Sequence, residues 1–210
     1  MQPMTMNRVI HGAVRRDLQR LEDALAAAAD GDTVRAGQLD RAFGFLHAQL
    51  VQHHRGEDEH VFPAMQRLGV DLTLLGDMEE EHERMANALA DARSALERYA
   101  ASGTGADRDT ARDAVIHARE VTETHLEHEE RELEPLMLAH GESEEWKAAE
   151  KKLRSQPPGV SGRFFAWIED GMGAREREHY TASVPAPVRL LLSRIFGRSY
   201  RRDVAPVWHG

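Results

Sequence analysis

Residues 72–100 read LTLLGDMEEEHERMANALADARSALERYA, a stretch without proline that is rich in alanine, leucine, glutamate and arginine. Its apolar residues recur at alternating steps of three and four, the spacing of the buried face of an amphipathic helix. That face consists of Leu75, Met78, His82, Met85, Leu89, Ala92 and Leu96. The pattern therefore predicts a long helix that turns one histidine toward the core among aliphatic and thioether side chains.

Short turn signals bound this helix and divide the first two-thirds of the chain into four predicted helices. The turns lie at 31–33, 69–71 and 102–105, where glycine stands beside a capping Asp, Ser or Thr, and Gly141 ends the last helix. Short connections force consecutive helices to run antiparallel. We expect an all-α fold in which residues 1–141 form an up-down-up-down antiparallel four-helix bundle.

Each of the other three predicted helices also carries a histidine on its core face. These faces are His11, Val14, Leu18, Leu21 and Leu25 in the first helix, Leu39, Phe43, Leu46, Leu50, His53 and Glu57 in the second, and Ala118, Val121, His125, Glu129, Leu133 and Leu136 in the fourth. At a rise of about 1.5 Å per residue, the turn positions bring the polar members to one height within about one helical turn. The predicted ligands are His11, His53, Glu57, His82, His125 and Glu129.

The polar positions also repeat along the chain. Segment 53–63, HHRGEDEHVFP, recurs as segment 125–135, HLEHEERELEP, with His-x3-Glu and a proline in register. Two half-sites, each with two imidazoles and one carboxylate, suit two metal ions bridged by the carboxylates. Two ionised glutamates in a dry core would be costly without cations. The pattern therefore predicts a metal site.

Several histidines and acidic residues lie next to the predicted ligands in the sequence, and the helix period indicates where each of them faces. His54 and Asp58 are also four residues apart, but the step of three from Leu50 and the following proline favour the pair that begins at His53. Beside the core face, as outer groups or at the surface, we expect His54, Asp58, His128 and Glu130. At the surface we expect His47, His117, His140 and His179. His60 continues the core face beyond Glu57 and is a possible additional ligand.

Composition excludes several other classes of protein. The chain has 210 residues, no cysteine and a net charge of −9, so disulfides, zinc knuckles and thiol nucleophiles are ruled out, and nucleic acid is not an expected partner. Residues 1–10 lack the basic-then-apolar pattern of a signal peptide, and no run reaches the ~18 apolar residues of a membrane span. We expect a cytoplasmic protein.

The remaining part, 142–210, has a different character. Segment 155–159, SQPPG, is typical of a linker, and 164–168 and 187–196 are predicted short helices. We expect an extension of short helices that packs on the bundle. The weaker alternative is a membrane or partner-binding segment, because 184–202 contains five arginines and no acidic residue.

On these residues the chain resembles the hemerythrin family, and more closely its bacterial hemerythrin-like (HHE cation-binding) branch, over about residues 1–141. The resemblance implies a non-heme di-iron centre bridged by Glu57, Glu129 and an oxo or hydroxo group. It places His11 and His53 on one iron and His82 and His125 on the other. Ligand chemistry alone leaves zinc and manganese as alternatives to iron.

The resemblance implies binding or reduction of O2, peroxide or nitric oxide in oxidative or nitrosative stress, and leaves catalase-like or peroxidase-like activity open. Oxygen-carrying hemerythrins have a further histidine where this chain has Ala86, so simple oxygen storage is disfavoured. Glu81 or Glu83 could act as outer proton donors. The alternative function is an iron or oxygen sensor whose C-terminal tail reports metal occupancy, with an undetermined protein partner.

Overall fold

The computed structural model describes residues 3–209, and every regular element in that range is helical. The all-α prediction is therefore confirmed. Met1, Gln2 and Gly210, the outer ends of the two expected domains, lie outside the described residues. Over 3–209, no helix combines the length and the apolar character needed to cross a bilayer.

The elements fall into two groups along the chain. The first group is α1 Met6–Ala27, α2 Thr33–Gly56, π1 Glu57–Val61, α3 Phe62–Arg67, α4 Leu72–Ser102, α5 Gly105–His128, π2 Glu129–Leu133 and α6 Glu134–Ala139. The second is α7 Glu144–Arg154, α8 Pro158–Glu169, α9 Ala174–Ser183, α10 Ala186–Leu191, π3 Leu192–Phe196, α11 Arg198–Asp203 and α12 Ala205–His209. Here π1, π2 and π3 are π-helical segments.

The turns between the long helices lie where the sequence predicts them. The side chains of Asp32, Asp71 and Thr104 cap the following helices by accepting hydrogen bonds from backbone N–H groups two or three residues later. Gly103 follows α4 with a φ of 67°, a left-handed conformation that glycine adopts without strain. Local chemistry therefore sets the ends of these helices.

Helices α1, α2, α4 and α5 contact one another in a closed order, α1 with α2, α2 with α4, α4 with α5 and α5 with α1. Their predicted core faces meet in the interior. All of these residues are buried except His53, Val121 and Leu136, which are partly exposed. Leu21, Phe43, Leu89 and Ala118 typify the apolar part of this core, all at or below 1% exposure. Burial of these apolar side chains is the main driving force for the packing.

Both π-helical segments at the site end next to a proline, which the sequence analysis used only for alignment. The N–H of Phe62 bonds to the carbonyl of Glu57, five residues back, just before Pro63. The same bond joins Glu134 to Glu129 before Pro135. Proline has no N–H to donate and its ring crowds the carbonyl four residues earlier, so a locally wider helix relieves the clash.

The second group of helices contacts the first through a buried polar cluster. The indole Nε1 of Trp167 donates to Asp17 of α1 over 2.8 Å, and Arg16 donates to the backbone oxygen of Trp167 over 3.1 Å. Burial raises the pKa of Asp17 even though Arg16 and Arg20 act to lower it. A buried carboxylate that has partners on both sides fixes how α8 lies on α1.

Two glycines allow α8 and π3 to approach at backbone distance. A Cβ placed on Gly162 of α8 would lie 2.6 Å from the carbonyl carbon of Phe196 and 2.7 Å from the carbonyl oxygen of Leu192. A Cβ on Gly197 would lie 2.6 Å from that of Ala166. Any side chain at these positions would push the two segments apart.

Gly162→Ala is therefore expected to destabilise the second group of helices by about 1–3 kcal/mol through overpacking. Gly159→Ala is the matched control in the same helix, because a Cβ at Gly159 would meet nothing within 4 Å. Chemical unfolding followed by tryptophan fluorescence is the suitable measurement, since Trp146, Trp167 and Trp208 all lie beyond residue 141. Equal unfolding midpoints for the two variants would contradict this packing.

Candidate metal centre

The six predicted ligands come from every long helix and meet at one level of the interior. Helix α1 supplies His11, α2 supplies His53, α4 supplies His82 and α5 supplies His125. The two carboxylates, Glu57 and Glu129, are the first residues of π1 and π2. Their side chains are almost fully buried, with His53 the most exposed at 13%.

The side chains form two groups in which the potential ligand atoms lie within 4.8 Å of one another. The first group is His11, His53 and Glu129. The second group is His54, Glu57, His82 and His125. The pairing of His11 with His53, and of His82 with His125, is the one that the resemblance implied, but the second group holds a histidine that was not predicted there.

Both glutamates lie between the two groups. Glu57 points Oε1 at His53 Nε2 of the first group, 3.2 Å away, and Oε2 at His82 Nε2 of the second, 3.5 Å away. Glu129 Oε2 lies 3.1 Å from His11 Nε2 and 3.9 Å from His125 Nε2. Each carboxylate can therefore serve both groups at once, the role of a bridging ligand between two cations.

The buried polar atoms that face this space lack hydrogen-bond partners. They are Nε2 of His11, His53, His54, His82 and His125, and Oε2 of Glu57 and Glu129. Buried nitrogen and oxygen atoms are normally paired, so seven unpaired atoms converging on one space are a large departure from the usual pattern. Imidazole and carboxylate are ligands of first-row transition metals, and the residues present fit such ions.

An outer ring of carboxylates holds the histidines from behind. His11 Nδ1 lies 2.9 Å from Glu130, His82 Nδ1 lies 2.8 Å from Asp58, and His125 Nδ1 lies 3.0 Å from Glu81. An ionised carboxylate can only accept a hydrogen bond, so each Nδ1 carries a proton and points Nε2 at the interior. These partners prepare the rings for metal coordination.

The outer carboxylates also join the helices in sequence. Asp58 follows Glu57 in π1 but binds the histidine of α4, and Glu81 lies beside that histidine in α4 but binds the histidine of α5. Glu130 follows Glu129 in π2 and binds the histidine of α1. Three of the four contacts around the interior therefore include a carboxylate of one helix that positions a histidine of the next.

Burial and neighbouring charges shift the pKa values of the site residues in opposite directions. Burial acts to lower the pKa of His11, but the negative charges of Glu129 and Glu130 outweigh it and raise the pKa to about 9. Burial lowers the pKa of His53 to about 3. Burial and the charge of Glu129 raise the pKa of Glu57 well above its usual value. Without a cation, the two buried carboxylates are not equally charged.

His54 is the main correction to the sequence analysis, which placed it beside the core face. Its side chain is buried, its ring stacks on His82 with centroids 4.3 Å apart, and its Nε2 belongs to the second group. The interior is wide enough at this level for two adjacent residues of α2 to face it. The second group therefore contains three histidines, whereas the sequence placed two on each side, and the assignment of metal ligands among them stays a prediction.

The other predicted neighbours divide between the site and the surface. Of the two predicted outer proton donors, Glu81 reaches the site through His125 and also accepts from His128, whereas Glu83 is exposed. His60 is partly buried and belongs to neither group. Of the four histidines predicted at the surface, His117 is exposed, and His47, His140 and His179 are partly buried.

With this geometry described, the comparison with known proteins can be stated. The family model for the hemerythrin HHE cation binding domain matches residues 6–137. The chain belongs to the hemerythrin HHE cation-binding family. No curated protein and no solved structure matches it. The matched range contains all seven converging side chains, and family membership implies cation binding at a site of this kind.

Ala86 of the hemerythrin domain stands at the position where the resemblance to the oxygen carriers implied a further histidine. Ala86 is one turn beyond His82 and its side chain is exposed. His54 belongs to the second group, with a ring nitrogen within 4.8 Å of the ligand atoms of His82 and His125. This domain thus has three imidazoles in that group without a second histidine on α4.

His54→Gln is expected to weaken metal binding by at least about tenfold, because it removes one of the converging nitrogen ligands. His60→Gln is the matched control, two turns further along and outside both groups. Titration of metal-free protein with Co2+, followed by the visible absorption of the bound ion, measures affinity and coordination together. Equal affinities for the two variants would mean that His54 is not a ligand.

Proposed function

We propose that this protein is a non-heme di-iron protein that binds or reduces small oxidants, namely O2, peroxide or nitric oxide. The site lies in what we take to be an up-down-up-down antiparallel bundle of α1, α2, α4 and α5. Residues 1–141 would be the hemerythrin domain and 142–210 an extension. A cytoplasmic location is part of the same proposal.

The observation that carries the proposal is the pair of ligand groups joined by two carboxylates. The first group offers His11 and His53, the second offers His54, His82 and His125, and Glu57 and Glu129 reach toward both. A single cation would leave several of the seven unpaired atoms unused, whereas two cations would use them all. Three nitrogen ligands on one side and two on the other also make the two positions chemically different.

The ligand set favours iron among the candidate metals. Imidazole with bridging carboxylate suits iron, manganese and zinc, and thiolate ligands are absent because the chain has no cysteine. The cation-binding family to which the chain belongs supports iron. When bound, iron would supply electrons to an oxidant by changing between its ferrous and ferric states.

The protein's own residues would exclude water and fix the rings. Buried aliphatic and thioether side chains stand next to the ligands, among them Val14, Leu50, Met78 and Met85. They leave little polar surface for a metabolite and favour small neutral ligands. Asp58, Glu81 and Glu130 hold the histidine rings in one orientation, which limits reorganisation when a ligand binds.

Glu81 has a second role in this proposal, because it links the interior to the surface. Its carboxylate accepts from buried His125 over 3.0 Å and from partly exposed His128 over 2.9 Å. Arg84 lies 3.7 Å away on the outer side. The Glu81 carboxylate therefore connects buried His125 with partly exposed His128 through hydrogen bonds and holds both rings at the edge of the site.

The test uses the full chain, made metal-free and reloaded with ferrous iron without air. We expect two irons per chain, and a change of visible spectrum on addition of at least one of O2, hydrogen peroxide or nitric oxide. The double variant Glu57→Gln/Glu129→Gln should hold no stable iron and consume oxidant at the rate of buffer, because both bridging carboxylates are gone.

His60→Gln serves as the control and should behave like the unaltered chain. A single iron per chain, or two irons that respond to none of the three oxidants, would each contradict the proposed function.

A second candidate function is sensing, and specific contacts favour it. Helix α7 packs Leu153 against Gly56, where a Cβ would lie 2.8 Å from Leu153 Cδ2, and Gly56 precedes Glu57. Helix α9 places Glu176 over Gly12, next to His11, where a Cβ would lie 3.0 Å from the carboxyl carbon. Helices α7 and α9 thus touch the chain beside His11 of the first ligand group and beside Glu57 of the second.

If the extension reports metal occupancy, ferrous iron should slow proteolysis at the linker 155–157 in the intact chain. Metal would stabilise the only state in which Glu57 and Glu129 can be buried together, and the helices that rest on their neighbours would open less often. Cleavage by a non-specific protease, followed by mass spectrometry, measures this rate. Glu57→Gln/Glu129→Gln should show no iron effect, and an equal rate with and without iron in the intact chain would exclude the sensor.

A further inference from the structure

Large apolar side chains are exposed together in one short segment of the extension. They are Val188, Leu190, Leu191, Ile195 and Phe196, with 39% to 53% of their surface exposed. Single exposed apolar residues are common on proteins, but five within nine residues form a patch. The other large exposed apolar residues in the described part of the chain are spread from Val34 to Val160. We call 188–196 the apolar segment.

The inner side of the apolar segment is fixed, so the exposed side chains cannot turn inward. Phe196 and Leu192 press their backbone on Gly162 of α8. Ser193 is buried and its hydroxyl donates to Glu169 over 2.6 Å. Arg201 donates to the backbone oxygen of Ser193. Packing therefore presents a permanent apolar surface to solvent.

Basic residues surround this surface. The stretch 184–202 carries five arginines and no acidic residue, although the whole chain has a net charge of −9. Arg194 and Arg198 are exposed, and within residues 3–209 neither makes a hydrogen bond or an ion pair. The other three contact their own neighbourhood, as Arg202 does with Asp203. Two unpaired guanidinium groups beside exposed leucine, isoleucine and phenylalanine side chains need an anionic and apolar partner.

We propose that the apolar segment, with Arg194 and Arg198, docks on an anionic lipid surface. Aliphatic and aromatic side chains bordered by arginine, without acidic residues, are the composition of interfacial helices that lie in the headgroup region. Binding there needs no spanning helix, and none is present in residues 3–209. The docking holds the protein by its extension, on helices other than those that bear the metal ligands. It takes up the weaker sequence-based alternative for this segment, while other helices of the extension contact α1 and α2.

The experiment is vesicle flotation of the full chain with two lipid compositions, phosphatidylcholine alone and phosphatidylcholine with about one-third phosphatidylglycerol. We expect the chain to float with the anionic vesicles and to remain in solution with the neutral ones. Each arginine near an anionic surface contributes about fivefold to tenfold in binding. Arg194→Gln/Arg198→Gln should therefore weaken partition by at least about tenfold, and raised salt should weaken it further.

Leu191→Ser/Ile195→Ser should abolish flotation, because both side chains are about half exposed and neither supports the core. The matched control is Leu72→Ser/Arg67→Gln, which removes an exposed leucine and an exposed arginine elsewhere, and it should bind like the unaltered chain. Circular dichroism checks that all variants remain folded.

Three outcomes would overturn the proposal. The first is an absence of flotation with anionic vesicles. The second is flotation that the serine variant retains. The third is a dimer, detected by sedimentation in the absence of lipid, that Leu191→Ser/Ile195→Ser converts to a monomer, since the surface would then belong to a second copy of the chain. Metal content of the variants, which should be unchanged, separates this test from that of the proposed function.

Discussion

The arrangement of this protein depends on the burial of two carboxylates, Glu57 and Glu129, at 4% and 1% exposure. Each would cost several kcal/mol to bury as an isolated charge, and their mutual repulsion adds to that cost. Five imidazoles face the pair, and the pKa values of the two glutamates shift in opposite directions: burial raises that of Glu57, whereas the charge of His11 outweighs burial and lowers that of Glu129. Bound cations would compensate the charges of both carboxylates. The histidines, the π-helical segments and the outer carboxylates can all be understood as ways of holding that arrangement.

The outer carboxylates explain how one charged cluster also organises the helices. Asp58, Glu81 and Glu130 are sequence neighbours of site residues, and each binds a histidine of the following helix around the interior. Charged residues beside a core face are usually solvated, and in isolation these three would be unremarkable on a helical surface. Their position next to buried histidines makes them positioning groups. Loss of any one would free a ring on one helix and disturb the contact between two.

Much of this could be predicted from the sequence, because the period of three and four fixes which residues of a long helix face inward. His11, His82 and His125 follow directly from that period. That period assigns only one residue of an adjacent pair to the core face, however, so it predicts His53 as a ligand and places His54 beside that face. Two neighbours can both face a wide interior, and width depends on packing that no local pattern contains. The π-helices were missed for a similar reason, although Pro63 and Pro135 mark their ends. The helices of the extension are too short for periodicity to define, and only 164–168 and 187–196 were apolar enough to predict.

The extension contacts the first group of helices on its inner side and exposes apolar side chains on its outer side. Its inner side reaches Gly12 and Gly56, the glycines beside His11 and Glu57, where the absence of a side chain lets α9 and α7 lie close to the ligand-bearing helices. Its outer side exposes Leu191 and Ile195. Any shift of π1 when Glu57 gains or loses a cation must therefore move Leu153 or open a gap beside it, since close-packed contacts do not deform continuously. A lipid surface bound at the outer side would, by the same reasoning, favour one position of the helices on the inner side. If metal binding and surface docking both favour one position of the extension, thermodynamic linkage requires each to change the affinity of the other.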